Sequence, residues 1–252
     1  MITIAVAQPR CTPYDVAANV AAHVEAVRAA GARVVVFPEL SLTGYHFDAP
    51  VVPFELVRPL VRACAETGTV AFAGAPVGGA FGGPGESGGG WGGGLVGGPN
   101  IGVLEVSGAG VRVAYRKMWL GGREAVRFRP GDAPAVVEVD GVRLGLAVCK
   151  DTGVPRHVAD TVALGVDVYA AGVLEHAWDA GVVEERARRI ALGHGVWVAI
   201  ASFAGPTGEG YESTAGRSAV WDPSGGMITS AGTGVGAVGR AVIPNRATDG
   251  GA

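Results

Sequence analysis

Val142 to Val148, apolar but for Arg143, stops abruptly at Cys149-Lys150-Asp151. A run this short fits a strand better than a helix, and one with apolar residues on both faces has to be covered from both sides. Ala32 to Phe37, apolar but for Arg33, behaves the same way and ends at Pro38-Glu39-Leu40. Between such runs the period changes. Asp15 is a fitting N-cap for an Ala/Val-rich helix from about Val16 to Ala30, and Gly31 supplies the positive φ that closes it. A second helix, about Phe54 to Glu66, leads through Gly68 into a strand at Thr69–Ala75. With Ile2 to Gln8 in front, the pattern is β-α-β-α-β, which predicts sheets covered by helices. In open α/β sheets ligands gather at strand ends. A thiol at such an end, Cys149, is a candidate nucleophile, whereas a cysteine within a strand is ordinary core.

Val77 to Gly98 is mostly glycine, with Phe81, Glu86 and Trp91 scattered through it. Ordering such a stretch costs too much backbone entropy for a core element, so a flexible surface insertion is predicted at about residues 77–98. A phosphate cradle is disfavoured, because no Gly-Lys-Ser/Thr follows. Asn100–Val106 and Val111–Tyr115 flank the hairpin signal Ser107-Gly108-Ala109-Gly110, and Pro134–Val139 joins Val142–Val148 across Asp140-Gly141. Helix Pro155–Leu164, strand Val166–Ala171, helix Trp178–Gly193 and strand Val196–Ser202 repeat the alternation. Strands at Ser218–Trp221, around Met227–Ser230 and around Val235–Ile243 close the chain. Hairpins mixed with alternating elements predict two sheets with helices outside, in one domain spanning residues 1–252 without a linker.

The net charge of −3 over 252 residues offers no basic surface, which argues against a nucleic-acid partner. Cys11, Cys64 and Cys149 are three, widely spaced and without a CxxC, so neither a disulfide framework nor a zinc site is expected. Cys11 and Cys64 read as core or loop thiols. His23, His46 and His194 lack metal-ligand spacing and read as surface or hydrogen-bonded residues. The first residues lack the basic start of a signal peptide, and no uncharged apolar run reaches spanning length; a cytoplasmic protein without a membrane partner is the expectation.

Glu39, Lys117 and Cys149 thus stand at the ends of three separate strands. A cysteine nucleophile needs a base, and burial can lift a carboxylate toward neutrality for that task. The oxyanion of an acyl-transfer intermediate needs a fixed cation and a backbone N–H.

Phe37-Pro38-Glu39-Leu40 with Thr43-Gly44-Tyr45, then Tyr115-Arg116-Lys117, then Cys149-Lys150-Asp151, resemble the three signature blocks of the nitrilase superfamily, the carbon–nitrogen hydrolases, in its amidase-like branch. Phe128-Arg129-Pro130-Gly131-Asp132 and the stretch Gly216 to Gly225 extend the likeness, which runs from Ile2 to about Pro244. The resemblance implies a four-layer α-β-β-α sandwich that assembles as a homodimer or larger homo-oligomer. It implies hydrolysis of a non-peptide C–N bond in a small-molecule amide through a cysteine thioester, with no cofactor or metal. Glu39 would be the base, Cys149 the nucleophile, and Lys117 with the backbone N–H of Lys150 the oxyanion site. Glu124 would be the second glutamate that positions lysine and substrate, against a plainer reading as an exposed loop carboxylate. Tyr45, Lys150, Leu174 and Glu175 are the candidate substrate-binding residues.

The chain departs from the family pattern at Lys150, where relatives carry Tyr, at Trp119, where they carry His, and at Gly153-Val154-Pro155-Arg156. The family's strand asparagine survives as Asn100. Relatives that bind a substrate carboxylate do so with arginines shortly after the nucleophile, where this chain has Thr152, Gly153 and Val154. A neutral or amine-bearing amide is therefore expected, with Glu175 able to meet a cation or else solvated at the next helix start. A nitrilase acting on a C≡N bond and a non-catalytic binding protein that keeps the fold are the competing readings. Glu184 to Arg189 reads as a solvated helix face with i,i+4 pairs, or as part of an oligomer interface.

Overall fold

The computed structural model describes residues 1–78 and 98–244. In chain order the elements are β1 (Ile2–Ala7), α1 (Val16–Ala30), β2 (Val34–Val36), α2 (Arg58–Thr67), β3 (Val70–Val77), β4 (Asn100–Ser107), β5 (Gly110–Arg116) and β6 (Ala135–Val139). There follow β7 (Val142–Val148), α3 (Pro155–Val162), β8 (Val168–Val173), α4 (Ala180–His194), β9 (Trp197–Ser202), β10 (Ala219–Trp221), β11 (Met227–Ser230) and β12 (Val238–Ile243). Most of the glycine-rich insertion expected at 77–98 lies outside the described residues.

Local chemistry sets the element ends. The Asp15 carboxylate accepts from the Ala18 N–H at 2.9 Å, and Gly31 closes α1 at φ 52°. The strand expected at Val166–Ala171 begins instead at Val168 and runs on to Val173. Asp167 is held by its own bonds to Arg143, and the added residues carry the chain to Leu174 at the sheet edge.

Among the described residues two six-stranded sheets form, in the orders β12-β1-β2-β3-β4-β5 and β11-β10-β9-β8-β7-β6. Each has three parallel strands at its heart, β1-β2-β3 and β7-β8-β9, flanked by antiparallel neighbours. Period-two alternation explains why these strands are apolar throughout. Ile4, Val6, Val34 and Val36 face the inter-sheet core with Leu144, Leu146 and Val148, while Ala5, Ala7 and Val35 face Val20, Val27 and Leu60 of the first helix layer. On the other side Ala147, Tyr169 and Ala171 pack on Val158, Val183, Ala187 and Ile190 of α3 and α4. The result is an α-β-β-α sandwich. Its parallel strands point their carboxyl ends to one edge, and β5, two antiparallel steps from β3, ends there too.

Candidate active site

Glu39, Lys117, Cys149 and Leu174 follow the ends of β2, β5, β7 and β8 at that common edge. The turn bearing Glu39 is pressed between the sheets. A Cβ at Gly172 in β8 would come within 2.5 Å of the Phe37 carbonyl and 2.9 Å of the Glu39 nitrogen, and one at Gly74 in β3 would overlap the Pro38 carbonyl and the Leu40 nitrogen. Only glycine at both places lets the backbone of Glu39 sit there. Lys117 is pinned at both ends of its peptide unit, donating to Ile101 O and accepting from Gly131 N at 2.8 Å each. Asn100, at the start of β4, supports the same region by donating to the Arg129 carbonyl at 2.8 Å.

The Lys117 ammonium, 1% exposed, donates to Glu39 Oε1 and Glu124 Oε1 at 2.7 Å each. Glu124 is not the exposed loop carboxylate of the plainer reading. It lies buried in the short turn Glu124–Val126, accepting also from the Tyr45 hydroxyl at 2.6 Å and from the Gly121 N–H at 2.6 Å. Glu39 is used only on one side. Among the described residues its buried Oε2 has no hydrogen-bond partner within ordinary distance, and the Cys149 thiol is the donor near enough to lower the pKa of this carboxylate. Cys149 opens the turn Cys149–Gly153 at φ 43°, in the left-handed region, with its thiol 3.6 Å from the Leu174 carbonyl.

These surroundings assign the charges. Burial pushes Glu39 up to about 7, against the pull of Lys117. Burial also works on Glu124, but Lys117 and three hydrogen bonds outweigh it and hold that carboxyl below its ordinary value. For Lys117 burial opposes the charge, while Glu39, Cys149 and Glu124 raise the pKa in net. Burial and then the Glu39 charge raise the Cys149 thiol. At neutral pH the site holds a cationic Lys117, an anionic Glu124, a protonated thiol and one carboxylate, Glu39, near its midpoint.

The other candidate residues divide. Tyr45, expected against substrate, is buried and spends its hydroxyl on Glu124. The Lys150 side chain, expected against substrate, turns outward and donates to the Leu120 carbonyl at 2.7 Å. Glu175 is half-buried and has an internal partner, Arg186 Nη1, at 3.0 Å from its Oε1. Arg186 thereby leaves the solvated face expected for Glu184 to Arg189, on which Arg189 does pair with Glu185 at 2.9 Å. His23 is buried and hydrogen-bonded to Asn19 O and Ser41 Oγ. Sequence reasoning gave no role to Asp151, His157 or Tyr169, which form a buried network with Tyr115. Among the described residues no group of three His, Cys, Asp or Glu side chains is placed to hold a metal, and no helix is long and apolar enough to cross a membrane.

The Carbon-nitrogen hydrolase family profile matches residues 3–243. The chain belongs to the carbon–nitrogen hydrolase family. Among curated proteins it is 35% identical over 136 residues to Hydrolase MT0498 and to Hydrolase Rv0480c, both of Mycobacterium tuberculosis. Those matches cover 47% of this chain and 48% of each relative, so the chain spans about half the length of the curated relatives it matches. Among solved structures, the NitN amidase from Neterenkonia sp. AN1 superposes with a TM-score of 0.80 at 24% identity, over 97% of this carbon–nitrogen hydrolase and 94% of that chain. A mutant of the amidase from Nesterenkonia sp. AN1 in complex with butyramide gives 0.80 at 22% identity, over 96% and 91%. At such identity the likeness establishes the fold, the αββα sandwich.

Proposed function

We propose that this chain hydrolyses the C–N bond of a small, neutral carboxamide through a thioester on Cys149. The observation that carries the reading is the pairing of one buried lysine with two buried glutamates of opposite pKa shift beside a half-buried thiol. Glu39, with one oxygen unpartnered and a pKa near neutrality, takes the thiol proton as Cys149 Sγ attacks the carbonyl carbon. Lys117 Nζ and the backbone N–H of Lys150 hold the oxyanion. The tetrahedral species collapses as Glu39 returns the proton to the leaving nitrogen, and ammonia or an amine departs. Water, losing a proton to Glu39, then attacks the thioester, and the released thiolate recovers that proton. Glu124, kept anionic, fixes Lys117 throughout.

The Glu39 charge beside Cys149 disfavours a substrate carboxylate, and Arg186 has already met the charge of Glu175, which narrows the expected substrate from neutral or amine-bearing to neutral. The structural neighbours named as amidases, one of them bound to butyramide, favour an amide over a nitrile. Self-association belongs to the same reading, with exposed Met227, Ile228 and Val242 as apolar surface for it. An ammonia-release screen over neutral carboxamides, N-carbamoyl amines and nitriles tests the assignment. Neutral amides should be turned over, Cys149→Ala should abolish turnover, and mass spectrometry with a slow amide should find an acyl adduct on Cys149. Turnover of nitriles alone, or activity surviving in Cys149→Ala, would overturn it.

A further inference from the structure

Two residues after the candidate nucleophile, Asp151 is wholly buried and collects bonds from both sheets. Its Oδ2 accepts from the Val148 N–H at 2.9 Å and from the Tyr115 hydroxyl at 2.7 Å; its Oδ1 accepts from the Trp119 N–H at 2.9 Å. Val148 ends β7 in the second sheet. Tyr115 and Trp119 bracket Lys117 at the end of β5 in the first. One carboxylate therefore joins the segment that carries Lys117 to the segment that carries Cys149.

The hydrogen count fixes how that carboxylate is held. Tyr115 Oη lies 2.8 Å from His157 Nε2 as well as 2.7 Å from Asp151, and it has one proton. An ionised Asp151 can only accept, so the Tyr115 proton goes there, and His157 Nε2 must be the N–H that donates to Tyr115. His157 Nδ1 is then bare and accepts from the Tyr169 hydroxyl at 3.0 Å. The order Tyr169, His157, Tyr115, Asp151 leaves no donor facing a donor. It runs through α3, β8 and β5, all buried, where a mismatched polar group is costly.

We propose that Asp151, oriented by Tyr115 and His157, is a positioning residue that fixes the separation of Lys117 and Cys149 across the two sheets. It touches neither substrate nor thiol. The inference rests on the amide-hydrolysis reading for its kinetic consequence, because a small displacement of an oxyanion donor is expensive in turnover.

The test compares Asp151→Asn, Tyr115→Phe, His157→Leu and His157→Gln on a neutral aliphatic amide that the wild type turns over. Asp151→Asn puts an amide N–H against a donor and should lower kcat by about a hundredfold. Tyr115→Phe and His157→Leu should lower it by about tenfold or more, with KM within about threefold. His157→Gln offers both a donor and an acceptor and should recover most of the loss. A second readout needs no turnover. Burial and the charges of Glu39 and Glu175 raise the Cys149 thiol, while Lys117 lowers it. A variant that moves Lys117 away should shift the pH profile of Cys149 alkylation by iodoacetamide to higher pH.

Wild-type kcat and an unshifted alkylation profile in variants that merely melt earlier would make the network structural and overturn the proposal. A rise in KM alone would do the same. If Asp151→Asn does not fold, Tyr115→Phe, which loses a single oxygen, decides. A wild type that turns over no amide would count against the functional reading, and the alkylation profiles would still judge the positioning role.

Discussion

Glu39 and Glu124 grip the same Lys117 ammonium, each with one oxygen at 2.7 Å; burial raises and Lys117 lowers both carboxyls, yet burial wins at Glu39 and loses at Glu124. The difference lies in the remaining oxygen. On Glu124 it accepts from a backbone N–H, and the shared oxygen also takes the Tyr45 hydroxyl; on Glu39 it has no partner. In the proposed mechanism one carboxylate is thereby an anchor and the other a proton acceptor.

That contrast has a signature in stability. Glu39 binds its proton more tightly folded than unfolded, so its support for the fold is complete below about 4.5 and fades as pH rises through about 7. Glu124 is the reverse, with support present above about 4.5 and lost as pH falls through its depressed value. Thermal melts from pH 2 to pH 8 should show Glu39→Gln gaining on the wild type as pH rises. Glu124→Gln should lose most at neutral pH and least in acid. Parallel curves for the two variants would contradict the charge assignment.

On the proposed mechanism, Glu39 also sets the acid limb of catalysis. kcat/KM for a neutral amide should climb with pH and level off above about 7, as Glu39 becomes the free base. Glu39→Gln should remove both acylation and deacylation. A limb that stays near 7 in any residual activity of that variant would assign it to another group.

Lys117→Ala should cost on the order of a hundredfold in kcat, the scale of a lost oxyanion donor. It also strands two buried carboxylates, which is worth roughly 3–5 kcal/mol of stability. Acid should restore part of that loss, since protonated carboxyls no longer need the cation. Chemical denaturation at pH 5 and pH 8 separates the two effects.

Gly172→Ala should act on turnover from a distance. Its new Cβ would meet the Phe37 carbonyl at 2.5 Å, and the turn it pushes is the one that carries Glu39. Overpacking of this kind costs about 1–3 kcal/mol, and a base displaced by even part of an ångström should reduce kcat by tenfold or more. Unchanged kinetics in a folded variant would show that the turn can yield.

Glu175→Gln leaves Arg186 beside the site without its ion pair at 3.0 Å. The ratio of kcat/KM for an acidic amide over its neutral isostere should rise severalfold. A ratio that does not move would place Arg186 out of the substrate's reach.

Glu39 and Cys149 were legible because each stands where a nearly apolar strand stops, and a break in the apolar pattern is a local signal; Lys117 follows a strand that carries Arg112 and Arg116, and only its place among the ordered sequence blocks marked it. The hairpins and α1 were legible for the same reason, through Gly110, Gly141, Asp15 and Gly31. Asp151, His157 and Tyr169 were not, since each alone reads as ordinary and their partners lie up to 42 residues apart. Arg186 hid in a charged run whose other members do face solvent, as the Glu185–Arg189 pair shows. Gly74 and Gly172 carry no mark of their importance either, because the atoms they make room for belong to the turn after β2, which meets Gly74 only when β2 and β3 pair and Gly172 only once both sheets have packed.

Cys149 takes φ 43° with a side chain present, a posture that costs an ordinary residue about 1–2 kcal/mol. Glycine would relieve that cost and asparagine would tolerate it, yet neither brings a thiol. Heat tolerance and turnover are therefore opposed at a single backbone angle. Breeding this chain for thermal survival alone would favour discarding the residue on which its proposed chemistry depends.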